Sequence, residues 1–196
     1  MSQRITSPVQ LRELRLAHFL FADPRSSILW LVVRIWVGYQ WIEAGYGKIT
    51  NPKGVWIGEN AGVALTGFVK GALEKASGDH PAVQGWYADF LSGFVLPNVV
   101  PFSYVVAFGE VAVGLGLILG VLTGIAAFFG IVMNTNFLLA GTVSTNPILA
   151  IPAIFLVLAW RNAGWYGLDR FLLPMIGTPS QPGSIFDSDA KAANTR

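Results

Sequence analysis

A mostly apolar stretch over residues 28–49 limits what this chain can fold into. At about 1.5 Å rise per residue, a helix of this length crosses the roughly 30 Å hydrocarbon core of a bilayer. The stretch nevertheless carries Arg34, Gln40, Glu43 and Lys48. Ionisable side chains at membrane depth are costly and usually serve a function or a contact between helices. The stretch therefore predicts a first membrane-spanning helix whose charged groups need partners.

The composition supports an integral membrane protein. Of the 196 residues, 53% are hydrophobic and only 12% are charged, whereas a soluble domain carries about 25% charged residues. The formal net charge of +2 leaves no basic surface for a nucleic acid. The chain has no cysteine and two histidines far apart in sequence. We therefore expect no metal site and no tightly bound cofactor.

Three further apolar stretches complete the predicted fold, at residues 99–119, 122–141 and 146–164. Together with residues 28–49 they predict an all-α integral membrane four-helix bundle. The long connection over residues 50–98 is expected to lie outside the membrane core. Within it, residues 61–76 favour a helix, and residues 83–96 favour an interfacial or re-entrant segment that Pro97 closes.

The flanking segments predict the topology. Residues 1–27 form a basic segment, which either contains a short surface helix over residues 9–21 or only sets the topology. Residues 28–173 form the transmembrane domain, and residues 174–196 form a flexible tail. Arginines and lysines flank both ends of the apolar region. The positive-inside tendency then places both termini in the cytoplasm and residues 50–98 outside. The chain is thus expected to be a multi-pass protein of the cell membrane.

Depth along the predicted helices indicates which charges meet. Counted from the predicted inner ends, Arg34 lies about 10 Å deep and Glu110 about 14 Å deep. An unpaired charge at such depth costs several kcal/mol, so we expect Arg34 to pair with Glu110. Such a pair either fixes helix register or forms an anion site or a proton path near a quinone. The sequence leaves these alternatives open.

Helical periodicity divides the polar groups of the first span between two faces. At 100° per residue, one stripe contains Arg34, Gly38, Trp41, Gly45 and Lys48. Glu43 falls on the opposite side. We expect the Arg34 stripe to face the other helices and Glu43 to face the outer connection or a partner subunit. Glu43 and Lys48 together are assigned to the outer half, near residues 50–98.

Two sets of candidate site residues follow. The catalytic candidates are Glu110, Arg34 and Glu43, and the candidates for binding a small anionic substrate are Lys48, Trp86, Tyr87 and Asn134. Asn134 is alternatively a hydrogen-bonding contact between helices. Arg161 and Asp169 are assigned structural or ion-pair roles, with Arg161 read as an interfacial anchor.

Several stretches resemble the DoxX/DoxD family of small membrane proteins. They are residues 133–147 (MNTNFLLAGTVSTNP), 159–172 (AWRNAGWYGLDRFL), 108–124 (FGEVAVGLGLILGVLTG) and 85–97 (GWYADFLSGFVLP). The spacing of Arg34, Gly38, Gly45 and Lys48 is similar to the family pattern as well. The resemblance covers roughly residues 28–173.

The resemblance implies a four-helix membrane bundle and a link to quinone chemistry. DoxD-type members are membrane subunits of thiosulfate:quinone oxidoreductase, which oxidises thiosulfate to tetrathionate and reduces a membrane quinone. It implies a diffusible quinone as co-substrate and a second subunit or a homo-oligomer as partner. The alternative is a non-enzymatic membrane scaffold or accessory subunit that recruits a redox partner.

Overall fold

The computed structural model describes residues 14–177, which form helices joined by turns and loops and contain no strand. Predictions for residues 1–13 and 178–196 lie outside this part of the chain. The α-helices are α1 (Arg15–Ala22), α2 (Ser27–Ile49), α3 (Val63–Glu74), α4 (Gly85–Phe90), α5 (Val99–Leu119), α6 (Thr123–Leu139), α7 (Asn146–Leu158) and α8 (Asp169–Met175). Thus α2 and α5 match the stretches predicted from apolar composition, and α3 matches the predicted helix in the connection.

Four helices, α2, α5, α6 and α7, share one apolar core. Its buried members include Trp30, Trp41, Leu117, Ala127 and Leu156. The closest pairings are α2 with α5 and α6 with α7, and α5 packs less extensively on α6. Large apolar side chains are exposed on the outer faces of these helices, as a lipid-facing surface requires. We call the two ends of this four-helix group the Arg34 end and the connection end, the latter beside residues 50–98.

Among residues 14–177, one helix is clearly long and apolar enough to cross a membrane. It runs without interruption over Gly85–Leu119, a length of 35 residues. The pair Arg15–Ala22 and Pro24–Ile49, bent by 65°, passes the same criteria if it is taken as one span. The remaining apolar helices α6 and α7 have 17 and 13 residues. The prediction that all four helices cross the membrane stays a prediction.

Pro97 does not close the segment before α5, and that part of the sequence prediction is wrong. The chain passes from α4 through a π-helical segment, Leu91–Val95, and a 3₁₀ turn, Leu96–Asn98, directly into α5. Proline lacks an N–H and crowds the preceding turn of a regular α-helix. The π and 3₁₀ turns change the local hydrogen-bond spacing, so the proline is accommodated and the helix continues.

The last predicted span, residues 146–164, is also too long, because α7 ends at Leu158. The chain then returns beneath the turn between α5 and α6. There the backbone N–H of Leu168 donates to the Leu119 carbonyl (3.1 Å), and that of Asp169 donates to the Gly120 carbonyl (2.7 Å). The residues after α7 therefore form a clamp under that turn rather than more of the helix.

Glycines bring α2 and α5 into backbone contact. A Cβ placed on Gly114 would lie 2.7 Å from the carbonyl oxygen of Gly38, and one on Gly45 would lie 2.8 Å from the backbone nitrogen of Val111. Contacts this short leave no room for a side chain, so the helices approach closely only because these positions are glycine.

Gly114→Ala should destabilise the protein by about 1–3 kcal/mol, since the added methyl group must push against backbone atoms. Thermal unfolding in detergent measures the effect as a fall in Tm. Gly67→Ala in α3 is the matched control, because nothing lies within 4 Å of the position that its Cβ would take. The control should raise stability by about 0.5–1 kcal/mol. Equal effects of the two changes would contradict the proposed close packing.

Candidate functional site

A buried ion pair joins α2 to α5. Lys48 Nζ lies 2.6 Å from Glu110 Oε2, and the side chains of the two residues are 18% and 2% exposed. The ring of Trp56, from the connection, lies 5.0 Å from Lys48 Nζ. Lys48 therefore links a deeply buried carboxylate to the connection end of the molecule. Separating such a pair would leave a charge without compensation in a medium of low dielectric constant.

The predicted Arg34–Glu110 pair is wrong, and the packing of α2 on α5 explains why. Gly45 lies against Val111, the residue next to Glu110, and Lys48 follows Gly45 by one helical turn. Arg34 lies on the other side of Gly38, which contacts Leu117 near the end of α5. The antiparallel packing thus brings Lys48, not Arg34, within reach of Glu110. The prediction counted the depth of each residue from the inner end of its own helix and took no account of how α2 and α5 are aligned along each other.

Arg34 instead binds backbone carbonyls at the end of α5. Its Nη1 donates to the carbonyls of Leu117 and Ile118, each at 2.6 Å, and its Nη2 donates to that of Tyr166 at 2.7 Å. These carbonyls belong to the last turn of a helix and to the clamp after α7. A cation at a helix C-terminus interacts favourably with the helix dipole. The contacts of Arg34 are therefore those of a structural residue.

Asp169 binds the backbone N–H groups at the start of α6, as Arg34 binds the carbonyl groups at the end of α5. Its carboxylate accepts the backbone N–H groups of Leu122 and Thr123, the latter at 2.8 Å. Leu122 has a left-handed backbone with φ of 46°, a conformation that costs a residue with a side chain about 1–2 kcal/mol. Within residues 14–177 no ion pair joins Asp169 to Arg161, which is exposed. The structural role predicted for Asp169 thus takes the form of a helix cap.

The core between α2, α5 and α6 contains buried polar groups without hydrogen-bond partners. In the described residues, Trp41 Nε1 and both amide atoms of Asn134 are buried and have no hydrogen bond. Asn134 and Trp41 are 0% and 2% exposed. Asn134 therefore makes no hydrogen bond to another helix within residues 14–177, and its predicted role in binding substrate stays a prediction.

A groove of about 630 Å³ opens between α5 and α6 and reaches α3 and α4. Its wall is almost entirely apolar, with Gly109, Ala112 and Gly116 along the α5 side. Gly116 is in close helix contact, since its Cβ would lie 2.9 Å from Ala126 Cβ. A Cβ on Gly109 would meet Met133 Sδ at 3.7 Å, an ordinary distance. The small residues of α5 therefore shape the groove as well as a helix contact.

The polar groups of the groove lie at its connection end. The hydroxyl of Tyr87 donates to the backbone oxygen of Asn136 at 3.0 Å and lies 3.1 Å from its Oδ1. The ring of Trp86 packs edge-on against Tyr87 with centroids 5.4 Å apart, and Trp86 is 62% exposed. No sequence signal linked Tyr87 to Asn136, which the fold brings together across 49 positions.

The predicted site residues thus separate into distinct places. Lys48 and Glu110 meet between α2 and α5, whereas Tyr87 lines the groove on the other side of α5. Glu43 is exposed on the opposite face of α2, as the helical periodicity predicted, and is not beside Lys48. Among residues 14–177, no group of three or more His, Asp or Glu side chains is arranged to hold a metal ion.

Comparison with known proteins identifies one family. The family model described as DoxX matches residues 29–142, which is more than half of the chain. The match contains both partners of the Lys48–Glu110 pair and most of the groove. No curated protein and no solved structure matches the chain.

Lys48→Met should destabilise the protein by about 3 kcal/mol, because it leaves the buried Glu110 carboxylate without its partner. Glu110→Gln in the same chain should restore most of that loss, since the carboxylate is then neutral. Chemical or thermal unfolding of the two single variants and the double variant measures the coupling. Additive effects, with no recovery in the double variant, would show that the two side chains do not form a buried pair.

Proposed function

We propose that this chain, which belongs to the DoxX family, is a membrane subunit of a quinone-linked oxidoreductase. The α5–α6 groove is the site of a diffusible quinone. The observation that carries the proposal is the form of this groove, which is apolar along its length and polar at one end. Proteins of this family are membrane proteins, and quinones are substrates dissolved in the membrane.

The dimensions of the groove suit such a ligand. A volume of about 630 Å³ is in the usual range for small-molecule sites, roughly 300–1,000 Å³. Along α5 the lining extends from Phe102 to Gly116, a distance of about 21 Å at 1.5 Å per residue. A quinone has a polar ring and a long apolar tail. In the proposed pose the ring lies by Tyr87 and Asn136 and the tail follows Gly109 towards the Arg34 end.

The Lys48–Glu110 pair supplies charge and protons in this proposal. Reduction of a quinone to a quinol consumes two electrons and two protons. Glu110 faces Lys48 of α2, and its neighbour Gly109 lines the groove, so in this proposal the protons cross the width of α5 to reach the quinone. Lys48, beside Trp56 at the connection end, is the cation for an anionic substrate that arrives from that side.

Thiosulfate is the proposed electron donor. Two thiosulfate ions join through a new sulfur–sulfur bond to give tetrathionate and two electrons, which balance the reduction of one quinone. A second subunit that carries a redox cofactor transfers the electrons, and this chain contributes the membrane site. Four membrane spans, cytoplasmic termini and an outward connection complete the proposal, because they let an external anion approach Lys48.

Membranes that contain this protein and its partner subunit should reduce a quinone analogue when thiosulfate is added. Glu110→Gln should lower the rate by about 100-fold or more, because it removes a proton-transferring group. Glu59→Gln is the control, since Glu59 is exposed in the connection. Absence of thiosulfate-dependent reduction with the partner present would refute the enzymatic proposal. A cofactor-bearing partner that binds stably without turnover would favour the accessory role.

Filling the groove should weaken quinone binding without unfolding the protein. Gly109→Leu adds a side chain to the groove wall without a backbone clash, and it should raise the KM for the quinone about tenfold. Gly47→Leu, at a position with open space around it, is the matched control. Steady-state kinetics with a soluble quinone analogue and the Tm of each variant provide the measurements. An unchanged KM in Gly109→Leu would place the quinone elsewhere.

A further inference from the structure

Seven buried side-chain polar atoms have no partner in the part of the chain that the structure describes, and three of them lie in the core between α2, α5 and α6: Trp41 Nε1, Asn134 Nδ2 and Asn134 Oδ1. Buried polar groups in native proteins are almost always hydrogen-bonded, to protein or to ordered water. Leaving one unpaired costs about 1–3 kcal/mol. These atoms supply two kinds of donor and one acceptor, which suits a ligand that can both donate and accept.

The register of α5 and α6 places these atoms next to Glu110. A Cβ on Gly130 would lie 3.3 Å from both Trp41 Nε1 and Val113 Cγ1, so these three residues form one layer of the core. Asn134 follows Gly130 by one turn, and Glu110 precedes Val113 by one turn, in the same direction because α5 and α6 are antiparallel. Residues three or four apart share a helix face. Asn134 and Glu110 therefore occupy the next layer together.

We propose that the Asn134 amide and the Trp41 indole bind an internal water molecule beside the Glu110 carboxyl group. The indole N–H donates to the water oxygen, and the Asn134 amide accepts from and donates to the water. Buried waters commonly make about three hydrogen bonds to polar groups that would otherwise be unpaired. The ligand class is thus a small neutral molecule with donor and acceptor capacity, and water is the smallest member.

The water gives Glu110 a proton path, and this role rests on the proposed function. Met133, the neighbour of Asn134, and Gly109, the neighbour of Glu110, both line the groove. The Lys48 ammonium group first passes a proton to the Glu110 carboxylate, which lies 2.6 Å away, and Lys48 recovers a proton from the connection end. The water then exchanges its bond from the Asn134 N–H for one from the Glu110 O–H, accepts that proton and releases one of its own towards the groove, so no net charge stays on it. Asn134 and Trp41 act through the water and are positioning residues.

Nuclear magnetic resonance of the indole groups tests the site without any assay of activity. Protein labelled with ¹⁵N at tryptophan is prepared in detergent micelles, and Trp41→Phe assigns the Trp41 signal by its disappearance. The Trp41 N–H should show a cross peak to water and a hydrogen-bonded chemical shift. Asn134→Leu should remove the cross peak and move the signal, whereas Asn134→Ser, which still binds water, should retain the cross peak.

Asn136→Leu is the matched control, because it makes the same chemical change on α6 in the groove, two residues away. It should leave the Trp41 signal unchanged. A Trp41 N–H without a water cross peak, or one that Asn134→Leu does not affect, would overturn the proposal. So would an indole that bonds directly to the Asn134 amide with no water between them.

Thermal unfolding gives an independent measure. Replacing a polar group that has no partner with an apolar group of similar shape is neutral or stabilising. Asn134→Leu should therefore raise the Tm if the amide is unpaired, and lower it if the amide holds water. A raised Tm would overturn the water site while leaving the quinone proposal untouched. If the unmodified protein does not reduce a quinone but shows the water cross peak, the proposed function is refuted and the water site stands.

Discussion

The turn between α5 and α6 is held by two buried charges, and the arrangement of the other helices depends on it. Arg34 satisfies the carbonyl groups at the end of α5, and Asp169 satisfies the N–H groups at the start of α6. A helix end in an apolar environment leaves backbone groups that water cannot reach. The two side chains, from α2 and from α8, replace that water. They thereby connect α2 and α8, which lie far apart in sequence, to the turn between α5 and α6.

This use of Arg34 leaves Glu110 to another partner. The glycine contacts between α2 and α5 fix a register in which Lys48 reaches the carboxylate from the connection end. The two cations of α2 thus have different tasks. Arg34 compensates partial charges on the backbone, whereas Lys48 compensates a full charge in the core. The proposed role of Glu110 rests on this arrangement, a buried full charge whose lysine partner is mostly buried but still reaches the connection end.

The contact between α5 and α6 is loose and leaves a groove, whereas the contact between α2 and α5 is tight and leaves no space. Both interfaces contain small residues, but Gly38 and Gly114 touch backbone to backbone, whereas Gly109 faces open space bounded by Met133. The helical segments before α5 roof this space and contribute Tyr87. Small residues along a helix therefore mark either a close contact or a groove, and only the neighbouring helix decides which.

The sequence by itself determined where α2, α3 and α5 lie and which face of α2 is buried. Apolar length defined α2 and α5, and helical periodicity placed Arg34, Trp41 and Lys48 on one inward stripe with Glu43 outside. Such local patterns follow from the helix repeat and the hydrophobic effect, which need no knowledge of neighbours. The sequence also carried enough of the family pattern for the DoxX family to be identified.

Only the tertiary structure decided which polar groups meet. The pairing of Lys48 with Glu110 depends on the sliding register of two helices, which is set by backbone contacts at glycines. The helix cap by Asp169 depends on the clamp after α7, which apolar composition read as more helix. Continuation through Pro97 depends on π and 3₁₀ turns that composition does not signal. Contacts between residues distant in sequence follow from packing geometry, and one sequence specifies that geometry only through the whole fold.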